Sequence, residues 1–206
     1  MSANDSHSWS SPPRSPWGRR LGTLVRDTVE AAVLAVVLFL VLQVFVQNTV
    51  VEGSSMLPNF VDREHLLVSK MAFRLGEPKR GDVVVFHAPG IPDKDFIKRV
   101  IGLAGETVEV RIGVVYINNQ PIEEPWRPRG DRSSFGPYLV PAAHLFVLGD
   151  NRPDSNDSRV FGRLPDTGLN EPAVPIELVV GRAWITVWPM DRLGIVRADR
   201  PSGPGS

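Results

Sequence analysis

The chain has 206 residues, with 23 lysines and arginines balanced by 23 aspartates and glutamates, so its formal net charge is zero. This length favours one domain or two small ones, and the balanced charge argues against a nucleic-acid-binding protein, which usually carries a basic excess. The chain has no cysteine and four scattered histidines without a metal-ligand spacing, so we expect neither disulfides nor a bound metal.

The N-terminal region reads as a tail followed by a membrane anchor. Residues 1–27 are rich in Ser, Pro and Arg and are predicted to form a disordered tail. An apolar run of 18 residues, Val29–Val46, then predicts a transmembrane helix over residues 28–48, because such a run spans about 27 Å of a bilayer core of about 30 Å. A buried core helix is the alternative, but no other segment is apolar enough to cover it.

The basic residues of the tail predict the orientation of this helix. Arginines precede it, so the positive-inside rule leaves the N-terminus in the cytoplasm and residues 49–197 on the other side of the membrane. A cleaved secretory signal is not favoured, because the stretch QNTVVEGSS after the helix has no small-x-small cleavage site. Residues 198–206 are predicted to be a flexible tail.

Residues 49–197 carry the pattern of an all-β domain. Short segments rich in Val and Ile alternate with Gly, Pro, Asn and Asp, and the chain is rich in proline, with 19 residues. Seven strands are predicted: His65–Lys70, Asp82–His87, Phe96–Ile101, Thr107–Arg111, Val114–Ile117, His144–Leu148 and Glu177–Val187. The acidic pairs between these strands, Asp93/Asp95 and Glu123/Glu124, are predicted to be solvated.

Three segments are candidates for chemistry: GSSMLP (53–58), FIKRVIG (96–102) and GDNRPDSNDSR (149–159). By the period-two rule, Lys98 shares a strand face with Phe96, while Arg99 points to the opposite face with Ile97. One basic residue is therefore drawn toward the interior whichever face is buried, unless the strand lies at a sheet edge and the lysine reaches solvent.

A serine and a lysine can form a catalytic pair without histidine. The lysine can remove the serine proton only when its amine is neutral, and burial in apolar surroundings lowers a lysine pKa by up to several units. An apolar strand around Lys98 suits such a base.

These segments, taken together in this order, resemble the type I signal peptidases, which are membrane-anchored serine/lysine endopeptidases. The resemblance runs from about Val50 to Trp188. It is carried by five blocks: GSSMLP (53–58), RGDVVVF (80–86), FIKRVIGLAGE (96–106), VPAAHLFVLGDNRPDSNDSR (140–159) and VGRAW (180–184).

The resemblance assigns roles to matching positions. Ser55, in Ser-Met-x-Pro, corresponds to the nucleophile, and Lys98 to the general base. The backbone amides of Gly53 and Ser55 correspond to the oxyanion hole, and Ser155 to the serine that orients the lysine.

Asp157 and Arg159 correspond to the carboxylate and arginine that brace the 149–159 loop, as an expected ion pair. Pro153 departs from the family pattern, which usually reads Asn-Arg-Asp-Asn-Ser at this point, and it removes one backbone donor.

The resemblance further implies an antiparallel catalytic domain with a small β insertion at about 107–142, no cofactor, and a plasma-membrane location. The implied substrates are secretory preproteins, cut after small residues at the first and third positions before the scissile bond. Val51, Phe96 and Ile97 flank the catalytic positions and are candidates for the substrate pocket, with ordinary core packing as the alternative.

Contact with membrane lipid is a further hypothesis. Met56, Leu57 and Phe60 with Trp184 and Trp188 could form a patch at the lipid interface, where tryptophan is favoured. Burial of both tryptophans in the core is the alternative that the sequence favours slightly.

Two other functions stay open at this point. A self-cleaving Ser/Lys repressor shares this type of catalytic pair but would need a DNA-binding domain and a cleavable linker. An inactive membrane-anchored scaffold that binds signal sequences is the other, although the presence of both Ser55 and Lys98 argues against it.

Overall fold

The computed structural model of the chain describes residues 16–73, 76–88, 94–163 and 171–198, without the side chains of 16–23, 41–42 and 163. The chain separates into two compact units, and the division falls between Gln43 and Val44. The first unit contributes a helix, and the second contains the strands.

The N-terminal helix, α1, runs over Pro16–Phe45 and is longer than the sequence predicts. A disordered tail is wrong for residues 16–27, because proline fits the first turn of a helix and no further proline interrupts the segment; residues 1–15 lie outside the described part of the chain. Within α1, Leu24–Phe45 is long enough and apolar enough to cross a membrane, with a mean hydropathy of 2.4 over its most apolar stretch.

The predicted C-terminal end of this helix, residue 48, is also wrong. Residues 46–50 form a strand instead, and each of them pairs with a residue of the 65–69 segment. Backbone pairing with a neighbouring strand therefore decides the conformation of residues 46–48.

Twelve strands are present in the described residues, and all their pairings are antiparallel, which confirms the predicted all-β fold. In chain order they are β1 (Val46–Val50), β2 (His65–Ser69), β3 (Val83–His87), β4 (Asp95–Gly102), β5 (Thr107–Arg111), β6 (Val114–Ile117), β7 (Gln120–Pro121), β8 (Phe135–Leu139), β9 (His144–Leu148), β10 (Val174–Pro175), β11 (Val179–Trp188) and β12 (Gly194–Ile195).

The strands form two sheets. The larger has the order β1-β2-β11-β3-β4-β9-β10, with β12 added to β11, and the smaller has the order β7-β6-β5-β8. The small sheet spans residues 107–139 and packs against the larger one through a shared core, in which Val108 and Val115 join Ile101 and Phe146.

Strand β4 lies in the interior of the large sheet, between β3 and β9, and is buried on both faces from Ile97 onward. Lys98 is 3% exposed and Arg99 is 2% exposed. The alternative in which Lys98 reaches solvent at a sheet edge is therefore wrong, and both basic side chains must find partners inside the protein.

The lipid patch suggested by the sequence is only partly present. Met56 and Phe60 are buried in a core cluster with Val51 and do not contribute to it, because their turn folds against the large sheet. Trp184 and Trp188 are 45% and 55% exposed, so burial of the two tryptophans in the core is also wrong.

Candidate active site

Ser55 and Lys98 lie 43 residues apart in the chain, but their side chains are in contact beside strand β4 of the large sheet. The Nζ atom of Lys98 lies 2.8 Å from Oγ of Ser55, and it also lies 2.8 Å from the carbonyl oxygen of Ile97. Ser55 follows β1 in a tight turn, whereas Lys98 projects from β4. The two positions that the resemblance assigns to nucleophile and base are therefore within hydrogen-bond distance of each other.

Burial lowers the pKa of the Lys98 amine to about 8, because a charged ammonium loses its hydration in this apolar setting. The negative charges of Asp157 and Asp150 partly oppose this effect. Each of these carboxylates is itself paired with an arginine, Asp157 with Arg159 and Asp150 with Arg99. Their attraction for a protonated lysine is thereby weakened, and the effect of burial dominates.

The 149–159 loop is hydrogen-bonded to the turn at residues 53–58, which carries Ser55 and is called the Ser55 turn below. The backbone amide of Asn151 donates to the carbonyl oxygen of Ser55 at 3.0 Å, and its side-chain amide donates to the carbonyl oxygen of Ser54 at 3.1 Å. The Ser54 hydroxyl donates to Asp154. Pro153 occupies the first turn of a short 3-10 helix, Arg152–Asp154, where its missing donor is tolerated.

The loop approaches the turn so closely that Gly149 has no room for a side chain. A Cβ atom there would lie 2.5 Å from the carbonyl oxygen of Ser55 and would also clash with Ser155. Glycine at position 149 therefore permits the close contact between the 149–159 loop and the Ser55 turn.

The two amides predicted to form an oxyanion hole differ in their contacts. Gly53 has a φ of +84°, and this left-handed turn directs its amide to Oδ1 of Asp62, which accepts the hydrogen bond at 2.8 Å. The Ser55 amide has no acceptor within the described ranges. The oxyanion-hole role of the two amides stays a prediction. No sequence signal pointed to Asp62.

Ser155 does not contact Lys98 through a hydrogen bond. Its Oγ atom is buried and has no hydrogen-bond partner in the part of the chain that the structure describes. The lysine amine bonds to the Ile97 carbonyl instead. The lysine-orienting role of Ser155 therefore stays a prediction.

Asp157 and Arg159 form the ion pair that the resemblance implies. Both carboxylate oxygens of Asp157 accept from the guanidinium of Arg159 at 2.9 Å, which is a bidentate arrangement. Asp157 is fully buried and also accepts from the amide of Gly149 at 3.1 Å. This pair therefore ties the two ends of the loop together.

Glu124 is a buried, paired carboxylate that the sequence did not reveal. The prediction that it is solvated is wrong, because its side chain is only 3% exposed and binds the guanidinium groups of Arg152 and Arg127. Adjacent glutamates in a proline-containing stretch look like a surface turn, and only the tertiary structure brings two arginines to one of them.

Ser55 and Lys98 line a cleft of about 650 Å³. The three residues predicted for the substrate pocket, Val51, Phe96 and Ile97, all line it. Val51 and Ile97 belong to the adjoining core cluster as well, so their pocket and core descriptions are compatible. Within the described residues, no group of three or more His, Asp or Glu side chains is arranged to hold a metal ion.

Comparison with known proteins assigns the chain to a family. The model of the family described as "Signal peptidase, peptidase S26" matches residues 25–188, which is most of the chain. The chain belongs to this family. Signal peptidase I of Leptolyngbya laminosa is 36% identical to the S26 peptidase described here over 204 residues, which cover 94% of this chain and 95% of the relative.

Two further signal peptidases are similar to this chain at lower identity. Signal peptidase I of Mycobacterium tuberculosis is 31% identical over 226 residues, covering 86% of this chain and 77% of the relative. The crystal structure of a signal peptidase I from Enterococcus faecalis is 31% identical, covers 52% of this chain and 97% of its own, and superposes with a TM-score of 0.41.

This S26 peptidase is therefore a serine endopeptidase that cleaves signal peptides, anchored to a membrane by its N-terminal apolar helix. The self-cleaving repressor and the inactive scaffold find no support among these relatives.

Proposed function

We propose that Ser55 is the nucleophile and Lys98 the general base of this signal peptidase. The observation that carries the proposal is the distance of 2.8 Å between Nζ of Lys98 and Oγ of Ser55. Burial also lowers the pKa of the Lys98 amine, so the amine loses its proton more easily than an exposed lysine does. With a pKa of about 8, roughly one lysine in ten is neutral at pH 7, against about one in 2,500 for an exposed lysine.

The proposed reaction proceeds through an acyl-enzyme. Neutral Lys98 accepts the proton of Ser55 while Oγ attacks the scissile carbonyl carbon, and the developing oxyanion faces the amide of Ser55. The tetrahedral intermediate collapses when the C–N bond breaks, and the lysine ammonium donates its proton to the leaving amine. A water molecule, deprotonated by the same amine, then hydrolyses the ester and frees Ser55.

An extended substrate fits the edge of β4. This strand pairs with β3 from Asp95 onward but with β9 only from Arg99 onward, so its first residues have one edge without a strand partner. We propose that the signal peptide adds to this edge as a further strand, which would place its side chains alternately toward the cleft. Val51, Phe96 and Ile97 would then limit the side chains before the scissile bond to small ones.

A preprotein cleavage assay tests this assignment. Full-length protein in detergent should cut a secretory preprotein after an Ala-x-Ala sequence and leave a variant with Phe at either alanine uncut. Equal cutting of the Phe variants would contradict the proposed pocket.

The proposed topology places the N-terminus in the cytoplasm and the second unit on the outer face of the plasma membrane. The arginines before the apolar part of α1 support this orientation. The 22-residue length of Leu24–Phe45 is sufficient to span the bilayer. Protease added to the outside of intact cells should digest the second unit and spare the residues before α1.

Membrane lipid is the second proposed partner. The exposed apolar side chains of the second unit include a group close together in the chain: Trp184, Trp188, Met190, Leu193 and Ile195. Tryptophan is favoured at the lipid interface, and such a group of exposed apolar residues is unusual on a domain surrounded by water.

Removal of residues 1–43, which ends at the division between the units, should give a folded peptidase. We expect it to cut short peptides at the parental rate but to cut membrane-inserted preproteins about 10- to 100-fold more slowly, because α1 supplies local concentration and no catalytic group. Cleavage rates of the truncated and the full-length protein on a short peptide and on a preprotein in vesicles measure the two effects. A well-folded truncated protein without peptidase activity would count against this role of α1.

Ser155→Ala should lower turnover by roughly 10- to 1,000-fold without unfolding the chain, if Ser155 holds the Lys98 amine toward Ser55 once substrate is bound. Because the Ser155 hydroxyl is buried and unbonded in the described structure, its removal should cost no stability. Turnover and thermal unfolding of Ser155→Ala and of the control Ser69→Ala, in β2 outside the cleft, separate the two effects. Unchanged turnover removes Ser155 from the mechanism.

A further inference from the structure

The loop that joins β7 to β8 extends from the small sheet to the wall of the active site. Glu124, in this loop, accepts a hydrogen bond at 2.8 Å from Nε of Arg127 and a second one from Nη2 of Arg152. Arg127 also donates to the carbonyl oxygen of Gly113, in the turn between β5 and β6. Glu124 is thus connected by hydrogen bonds to the small sheet through Arg127 and to the 149–159 loop through Arg152.

Arg152 transmits this contact to the Ser55 turn. Its guanidinium is buried, and Nε donates to the carbonyl oxygen of Gly149 at 3.1 Å, so the side chain holds the backbone of its own loop. The residue before it, Asn151, binds the carbonyl oxygens of Ser54 and Ser55. Glu124, Arg152 and the 149–152 backbone therefore form a continuous path to Ser55.

A second contact joins the same two loops. Nη1 of Arg159 donates to Oγ of Ser133 at 2.8 Å, and its Nη2 donates to the carbonyl oxygen of Arg152 at 2.7 Å. Ser133 belongs to the loop that also carries Glu124. The loop that extends from the small sheet is therefore connected to the 149–159 loop at two points, through the side chains of Arg152 and Arg159.

A buried ion pair of this kind contributes little to stability, since desolvation of both charges offsets much of their attraction. The hydrogen bonds of the Glu124–Arg152 pair are nevertheless directional, so the pair holds both side chains in one geometry. Removal of the Glu124 charge would leave the buried guanidinium of Arg152 without its carboxylate partner, and the loop would shift to let water reach it.

We propose that Glu124 is a positioning residue for the Ser55–Lys98 pair, and that it acts by holding Arg152 and the 149–155 backbone against the Ser55 turn. This inference rests on the proposed roles of Ser55 and Lys98. It gives the small sheet a part in catalysis, although none of its strands carries the nucleophile or the base.

The test compares Glu124→Gln with Glu109→Gln in the full-length protein in detergent. Glu109 is a matched control, because it lies in β5 of the small sheet from which the Glu124 loop extends, and it pairs with an arginine, Arg111, at the surface. Glu124→Gln should reduce kcat by about 10- to 100-fold, because a small displacement of reacting groups has effects of that size, and should change KM by less than about twofold. Glu109→Gln should leave both constants unchanged.

Hydrogen exchange supplies a readout that does not depend on cleavage. The amide of Asn151 is bonded to Ser55, and that of Asp154 to Asn151. Glu124→Gln should therefore accelerate exchange in a peptide covering 149–156 by about tenfold or more, while a peptide covering β3 keeps its parental exchange. Glu124→Asp, which keeps the charge on a shorter side chain, should give an intermediate result and replaces Glu124→Gln if the latter does not fold.

Parental exchange in the 149–156 peptide of a folded variant would overturn the proposal, whether or not the protein cleaves preproteins. So would a kcat per folded molecule equal to the parental value. A parental protein that does not cut preproteins, with accelerated exchange in Glu124→Gln, would instead contradict the proposed function and keep the structural part of this inference.

Discussion

Ser55→Ala should abolish preprotein cleavage, with a loss on the order of 10⁴-fold or more, because no other group can form the acyl-enzyme. The alanine variant should remain folded, since the hydroxyl is half-buried and its bond to Lys98 is the side-chain contact that is lost. Cleavage of a preprotein at saturating enzyme, followed by gel mobility, measures the loss.

Ser54→Ala is the matched control for this substitution. The Ser54 hydroxyl binds Asp154, whose exposed carboxylate can be solvated when the partner is removed. Asn151 binds the main-chain carbonyl of Ser54, and alanine preserves that bond. We expect Ser54→Ala to retain most of the parental activity. An inactive Ser54→Ala together with an active Ser55→Ala would show that the nucleophile has been placed one residue too late.

Lys98→Met should also be inactive, yet at least as stable as the parent at pH 7. Methionine fills a similar volume in the buried site but cannot accept the proton of Ser55, so cleavage should fall by about 10³-fold or more. The parental lysine, in contrast, must be buried either charged or neutral, and both states reduce the free energy of unfolding relative to an apolar side chain.

The pH dependence of this difference follows from the lowered pKa of Lys98, about 8 in the folded chain against 10.5 for an exposed lysine. Between pH 8 and 10.5 the unfolded chain binds more protons than the folded one, so parental stability rises with pH in that window. Below pH 8 the penalty is constant, at about 3 kcal/mol, since each pKa unit corresponds to about 1.4 kcal/mol. The advantage of Lys98→Met should therefore be largest at pH 7 and small at pH 10.

Denaturant unfolding of both proteins from pH 6 to 10 measures this effect. Parental kcat/KM over the same range should rise with pH and level off above about pH 8, where the amine is neutral. Strong destabilisation of Lys98→Met at pH 7 would indicate a structural, paired ammonium, and Lys98 would then not be the base.

Local pattern was sufficient for much of this protein. Alternation of Val and Ile with turn residues predicted the seven strands that became β2, β3, β4, β5, β6, β9 and β11, because each buries one or both faces. The strands β1, β7, β8, β10 and β12 were not predicted. Their sequences are too short, too polar or too rich in proline to show a period of two, and pairing with a neighbour defines them.

The sequence by itself determined the anchor and the all-β class, since both depend on residue type and on near neighbours in the chain. Ser55 and Lys98 were singled out by the resemblance of their segments to a known family. The tertiary structure decided what those positions contact. It placed Lys98 in a strand covered on both faces, turned the Gly53 amide toward Asp62, left Ser155 without a hydrogen bond and brought Arg152 to Glu124. These outcomes depend on residues far apart in the chain, whose mutual distance and loss of solvent arise only when the two sheets pack together.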